Sequence, residues 1–437
     1  MDGNRRPTGN RGSAPAKACD VILPVCKFLG PQIDCLMDRF AYIPYGAYWC
    51  TPFAKWQGGL SHLHSIRFAA WHARRELETR GLSDEPMELG VLGTTVPQQG
   101  SFYGLPWAAG LMGLERLAGP TVSQACATSA RAIGIAVDAV IGGAADTAFL
   151  LMADRVSNGP SLYYPDPTGP GGNGTHESWV LDNFQRDPFA QLSMLETAEN
   201  VARRYEISME EQNEVALMRY AQYQQALAAD RAFQRRYMRL PFEIPDKSFR
   251  KVRATLEGDE GIYATTAAGL AKLGPVLQGG TVTYGTQTHP ADGNAAMFVA
   301  TEERARELSS RSEVRIRILA TGQAREEKGF MPAATVPAAH DALARAGLAS
   351  SALTHVKTHN PFAVGDIVVS RELGFSLEKM NGYGCSLVWG HPQGPTGMRA
   401  VIELIEQMVA EGGGVGLFTG CAAGDSAMAV LIRVDVQ

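Results

Sequence analysis

The sequence predicts an α/β protein built on a duplicated unit, and three observations carry that prediction. Residues 120–152 run in a fixed order: a short β-rich approach from Pro120 to Ala125, then Cys126, a helix through about Ile141, a Gly142-Gly143 turn, and the apolar strand Thr147 to Met152. The same order returns near the C-terminus, where Cys385 to Trp389 leads to His391, a helix from about Thr396 to Ala410, a Gly412-Gly413-Gly414 turn, and a strand from Val415 to Thr419. Apolar runs that switch between strand and helix periods at glycine turns are the pattern of a repeated α/β unit. Third, 437 residues with 45% apolar and 19% charged content can bury a sizeable core, shared between two or three structural units. The repeat predicts pseudo-twofold symmetry, with Cys126 and His391 at equivalent helix starts.

Taken in order, residues 1–17 are rich in Gly, Arg, Pro and Ser and read as a disordered tail without the apolar run of a secretory signal. Tyr42, Tyr45, Tyr48, Trp49 and Trp56 crowd the next region, either as core or as the wall of a pocket for a bulky or aromatic group. The longest apolar region, Ala127 to Ala153, is interrupted by Arg131, Asp138 and Asp146, which argues against a membrane span. Asn158 to Asp187 is rich in Gly, Pro, Asn and Asp. Its G-P-G-G-N-G run formally contains a dinucleotide fingerprint, but it follows Tyr-Tyr-Pro-Asp-Pro rather than a strand, so a loop is expected. Helices are expected over Gln191–Tyr205 and from Ser208 to about Ala229, the second opened by a capping box of Ser208 and Glu211.

A formal charge of −5 leaves no basic footprint for nucleic acid. The seven cysteines (Cys19, Cys26, Cys35, Cys50, Cys126, Cys385 and Cys421) are odd in number and contain no C-x-x-C pair. That argues against a disulfide framework and against a zinc site, and it suits a reducing cytoplasm. The four nearest the N-terminus read as packing thiols.

Cys126, at the start of a small-residue helix, is either a buried packing cysteine or a nucleophile whose thiolate the helix N-terminus favours. His391, between glycines and Pro392, can take its proton. Cys421, in a Gly/Ala turn after an apolar strand, can deliver or remove a proton at carbon.

Six segments, in order along nearly the whole chain, now carry a resemblance: Thr51-Pro52-Phe53-Ala54-Lys55, the Cys126 segment, Thr197-Ala198-Glu199-Asn200-Val201-Ala202, Asp292-Gly293-Asn294-Ala295-Ala296, Gly390-His391-Pro392, and Cys421. With these the chain resembles the thiolase family. The resemblance implies two pseudo-symmetric βαβαβαββ halves in five alternating layers, residues 18–305 and 306–437. A loop domain covering the coenzyme A site would be inserted at about 158–278.

It also implies an activity: thiolytic cleavage of a 3-oxoacyl-CoA through an acyl group on Cys126. His391 would act as base and Cys421 would protonate the departing enolate. The backbone N–H groups of Cys126 and Ala423 would stabilise the alkoxide, and His391 with a water the enolate. Thiolases hold that water with the Asn of an N-E-A-F motif. Here the chain reads Thr358-His359-Asn360-Pro361-Phe362-Ala363, which places His359 there and resembles the histidine motif of the sterol-carrier-protein-type branch, with Asn360 the adjacent alternative. Ser193-Met194-Leu195 and Thr286-Gln287-Thr288-His289 depart from the family pattern, making Met194, Thr288 and His289 candidate CoA contacts.

No permanently bound cofactor is implied, with CoA itself a substrate. Implied partners are a second copy of the chain, as a dimer or dimer of dimers with 158–179 a candidate tetramer element, and a small OB-fold, zinc-containing protein. The rival readings are a biosynthetic Claisen condensation, a decarboxylating ketoacyl synthase, and a paralogue whose chemistry has lapsed. Cys421 argues against the second, because decarboxylation needs no base there. Cys126, His391 and Cys421 together argue against the third.

Overall fold

The structure, a computed structural model, describes residues 39–437 except Asn360; the tail expected at 1–17 and Cys19, Cys26 and Cys35 lie outside the described residues. The apolar runs become strands of one mixed sheet. Before residue 300 these are β1 (Ala41–Tyr42), β2 (Tyr48–Cys50), β3 (Ala54–Lys55), β4 (Leu89–Gly93), β5 (Thr121–Val122) and β6 (Thr147–Arg155). Two small pairs follow, β7 (Ser161–Tyr164) with β8 (Thr175–Ser178) and β9 (Phe242–Pro245) with β10 (Val252–Leu256), before the sheet resumes at β11 (Ala291–Ala300). The remaining strands are β12 (Val314–Arg325), β13 (His355–His359), β14 (Gly413–Ala422) and β15 (Ser426–Val436).

Strand order carries the repeat. The sheet runs β13-β14-β15-β12-β1-β11-β6-β4-β5, with β2 and β3 also on β11. β4 lies parallel to β6, which is antiparallel to β11, which is antiparallel to β1, β2 and β3. Likewise β13 lies parallel to β14, which is antiparallel to β15, which is antiparallel to β12. β5 pairs in parallel with the free side of β4, and on the free side of β13 a single parallel bridge joins Val356 to Met380.

The helices complete the layers. The Thr128–Ile141 and Gly394–Ala410 helices pack on each other, and each touches strands of both sets, so they form a middle layer. Small side chains permit this approach: a Cβ on Gly397 would come within 3.1 Å of Ser129 Cβ. The Ser129 hydroxyl also donates to the Gly394 carbonyl. Ser65–Arg80 and Gly104–Met112 cover the far side of the first set, and Thr335–Arg345 covers the second, backed by Ala363–Leu373.

Three boundaries differ from expectation. Cys385–Trp389, expected as a strand approach, contains the short helix Ser386–Trp389. Met380 already occupies the strand place beside β13, and Asn381 and Tyr383 at φ 58° and 64° turn the chain away. The strand expected over Val415–Thr419 runs the whole of β14, because every residue from Gly413 to Ala422 has a partner on β15. The helix expected to reach about Ala229 ends at Ala226, before Ala229, Asp230 and Arg231, all at positive φ.

Between β6 and β11, the G-P-G-G-N-G run forms the end of the β7–β8 hairpin, as the loop reading expects. The Ser208/Glu211 capping box is present, and so is a second one at Ser193/Glu196, opening Met194–Arg204. A buried charge network ties this region to the middle layer. Arg399, fully buried, grips Asp259 through two bonds of 2.6 and 2.8 Å and reaches Glu403 at 3.0 Å; Glu403 in turn takes Lys357 at 2.8 Å.

Of the crowded aromatics, Tyr45 and Tyr48 donate to Glu406 and Trp49 packs on Phe149 and Phe298. Cys50 is buried, in keeping with a packing thiol. No helix among the described residues is long and apolar enough to cross a membrane.

Candidate active site

Two helix starts meet where the repeats face one another. Ala125 at φ 43° sets Cys126 at the approach to the Thr128–Ile141 helix, and Gln393 at φ 60° follows His391 at the approach to Gly394–Ala410. Non-glycine residues at such angles store strain that the surrounding packing must hold. Here it aims the two side chains at each other: His391 Nε2 lies 3.0 Å from Cys126 Sγ. His391 Nδ1 lies 2.6 Å from the Thr396 hydroxyl, which fixes the ring so that Nε2 faces the sulfur.

His359 ends β13 and stacks on His391, with ring centroids 4.0 Å apart and planes 27° off parallel. Its Nδ1 is 2.7 Å from the Ser386 hydroxyl, and its Nε2 is buried without a protein partner. Cys421, near the end of β14, is fully buried and offers no surface to the cavity in front of Cys126. It lies close enough to Cys126 for that sulfur's charge to oppose its own ionisation.

That cavity measures about 520 Å³, within the usual span for small-molecule sites. Cys126, His391 and Ala423 share its wall. Its apolar side is Phe184, Met194, Leu195, Val276, Met331 and Phe362; the first four come from the segment between β6 and β11. Thr288 also faces it, whereas His289 lines a neighbouring cavity, joined to the first along Tyr284, Gln287, Thr288 and Pro290. None of Tyr42, Tyr45, Tyr48, Trp49 and Trp56 reaches the cavity, so the packing reading of that cluster holds and the pocket-wall reading is corrected.

Electrostatics corrects a second expectation. The helix start was expected to favour the Cys126 thiolate, but burial pushes the thiol up to about 12, only partly offset by the backbone N–H groups of Ala423 and Cys126 that face the sulfur. Burial also holds His391 well below the usual imidazole range, with His359 beside it adding to the effect, and takes His359 down to about 3. The resting pair is therefore a neutral thiol and a neutral imidazole, in which Nε2 is free to accept the proton. Asp154 holds the approach in place, accepting from the N–H groups of Thr95, Val96 and Gly394 and from the hydroxyls of Thr94 and Thr95, and burial still lifts it to about 6.

The thiol's environment gives a pH prediction. Alkylation of Cys126 by iodoacetamide should rise with pH through a midpoint well above 8.5, the value for a free cysteine. A midpoint below 8 in a pH–rate series would mean that the thiolate is favoured after all.

Sequence reasoning missed Thr396, Ser386, Gln393 and Asp154. Thr396 carried a signal, a hydroxyl in the first turn of the helix after His391. The others are paired only by the tertiary fold. Spacing alone also hid one cluster: the ligand-capable atoms of Cys126, His359 and His391 lie within 4.8 Å of one another.

Comparison with known proteins decides the family. The thiolase N-terminal domain matches residues 47–303 and the thiolase C-terminal domain residues 312–434. The chain belongs to the thiolase family. It is similar to a 3-ketoacyl-CoA thiolase of Pseudoalteromonas translucida, 31% identical over 385 residues and covering 85% of this chain and 93% of the relative. An acetyl-CoA acetyltransferase of Chromobacterium violaceum is 28% identical over 388 residues, covering 88% and 97%. Among solved structures, human mitochondrial 3-ketoacyl-CoA thiolase superposes with a TM-score of 0.81 at 25% identity, over 90% of this chain and 99% of that one. The α/β thiolase fold that the resemblance implies is the one observed, with a large mixed sheet and helices on it.

Proposed function

We propose that this thiolase cleaves a 3-oxoacyl-CoA with CoA as the second substrate, through an acyl group carried on Cys126. The observation that carries the reading is the 3.0 Å contact between Cys126 Sγ and His391 Nε2 on the wall of an apolar cavity, with the N–H groups of Cys126 and Ala423 facing the sulfur.

The chemistry follows from these atoms. His391 Nε2 takes the thiol proton as the sulfur attacks the 3-oxo carbon, and the two N–H groups receive the alkoxide. The bond between C2 and C3 breaks, leaving the acyl group on sulfur and an acetyl-CoA enolate. We assign the enolate oxygen to the protonated His391 and the buried Nε2 of His359, and the proton delivered to carbon to Cys421. Neither His359 nor Cys421 lines the cavity, so its wall must shift to admit them when substrate is bound. A CoA thiol, deprotonated in turn, carries the acyl group away. Every step is reversible, so the same groups catalyse condensation.

The wall of Phe184, Met331 and Phe362 suits a bulky or aromatic acyl group, and Met194 and Thr288 the pantetheine arm. The reading includes a division at about residue 305, which the separate spans of the two family domains support, and a covering insert at 158–278. It also includes assembly with a second copy of the chain.

The test separates two half-reactions. Cys421→Ala should still accept an acyl group from a simple thioester yet lose cleavage of 3-oxoacyl-CoA by roughly 10²–10⁴-fold, the usual contribution of a positioned acid or base. Equal loss in acyl transfer and in carbon–carbon cleavage, measured side by side, would contradict this division of labour. A panel of straight-chain and aromatic 3-oxoacyl thioesters then ranks the acyl groups.

A further inference from the structure

The atoms that serve the thiol also fit a metal. Cys126 Sγ, His391 Nε2 and the nearest ring nitrogen of His359 lie within 4.8 Å of one another. Both imidazoles spend Nδ1 on a hydroxyl, His391 on Thr396 and His359 on Ser386, which leaves both Nε2 atoms to ligate. Fixing a ring through its other nitrogen is how proteins orient metal-ligating histidines. One of the two Nε2 atoms, that of His359, is fully buried with no protein partner.

We propose that Cys126, His359 and His391 form a three-ligand site for Zn²⁺, and that zinc bound there is a reversible inhibitor of the acyl-transfer chemistry. Zinc takes sulfur at about 2.3 Å and imidazole nitrogen at about 2.0–2.1 Å in a tetrahedron, so its ligand atoms sit about 3.3–3.6 Å apart. The sulfur–His391 pair, now at 3.0 Å, would open by about half an ångström, and the separations to His359, at most 4.8 Å, would close by up to roughly 1 Å as the His359 ring rotates out of its stack on His391. One thiol and two imidazoles are a zinc-type donor set rather than a magnesium or calcium one. The fourth position opens on the cavity, where a water or an incoming thiol completes the tetrahedron.

The binding step balances simply. A sulfur–zinc bond forms, the thiol proton leaves to solvent, the imidazoles bind as neutral ligands, and nothing is oxidised or reduced. Binding should therefore release about one proton per ion. Sharing a pair with zinc makes the sulfur a weaker nucleophile held at the metal, and the occupied Nε2 of His391 cannot accept a proton. Binding rests only on the geometry; the inhibition rests on the function proposed above.

The experiment uses the full chain with Co²⁺ as a spectroscopic stand-in and Zn²⁺ as competitor. Expected are one ion per chain, a sulfur-to-cobalt charge-transfer band removed by zinc, and restoration of activity by a chelator. Cys126→Ser should lose the band, and His359→Ala should weaken zinc at least tenfold. Wild-type protein alkylated at Cys126 supplies the same test without a substitution. Zinc binding unchanged by alkylation or by His359→Ala, or an enzyme that cleaves 3-oxoacyl-CoA yet binds no cobalt, would overturn the site. A protein that binds cobalt through Cys126 but transfers no acyl group would overturn the proposed function and leave the site standing.

Discussion

Cys126→Ala should reduce acyl transfer by roughly 10⁴-fold or more, the scale seen when a covalent nucleophile is removed. The size follows from the geometry. His391 Nε2 has one partner at the site, the sulfur at 3.0 Å, and the N–H groups of Cys126 and Ala423 converge on that same atom. Among the described residues no other thiol lines the resting cavity, Cys421 and Cys385 being buried and absent from its wall. Residual catalysis from the donors alone would be small, and substrate binding should survive because the apolar wall is untouched. A loss below tenfold in kcat/KM for a 3-oxoacyl-CoA would remove Cys126 from the chemistry.

Asp259→Ala should cost about 3–5 kcal/mol of stability, because it strands a buried guanidinium. Arg399 and Asp259 are both 0% exposed in their side chains, and the Asp259 carboxylate also accepts from the N–H of Phe53 and the hydroxyl of Tyr223. Glu403 still holds Arg399 Nε at 3.0 Å, but it is shared with Lys357 and Tyr237 and cannot replace a bidentate partner. The rings of Phe53 and Trp389 flank the cation at 4.8 and 4.4 Å and offer it no hydrogen-bond acceptor. Arg399 lies on the helix that His391 introduces, so looseness there should also reach the site and lower kcat. Urea unfolding of the variant checks the stability. A change under about 1 kcal/mol would show that the network is not holding the region between β6 and β11 to the middle layer.

Much of the architecture was legible because the chain repeats its local grammar. Cys126 and His391 announce themselves as polar residues at the starts of helices rich in small side chains, and β6 and β14 as apolar runs after glycine turns. His359 was found from its place before Pro361-Phe362. Its stacking on His391 was not, because that contact joins β13 to a helix start more than thirty residues later. The Asp259–Arg399 pair was invisible for the same reason: a lone acidic residue and a helix arginine carry no local mark of each other.

The thiol's ionisation was misjudged because a helix start is a local feature, worth about 0.3–1 kcal/mol near the terminus. Burial is set by the whole fold, and here it dominates, as the upward displacement of both Cys126 and Cys421 shows. The aromatic cluster was read two ways for want of the sheet order, which places Tyr48 and Trp49 on β2 against β11 and away from the cavity.

The central claim is that the acyl group is carried on the sulfur at position 126, and peptide mass spectrometry tests it most directly. After rapid mixing with a 3-oxoacyl-CoA and acid quench, the account predicts one acyl adduct, on the peptide holding Cys126, removed by added CoA. An adduct on Cys385 or Cys421 instead, or turnover with no adduct at any quench time, would contradict it.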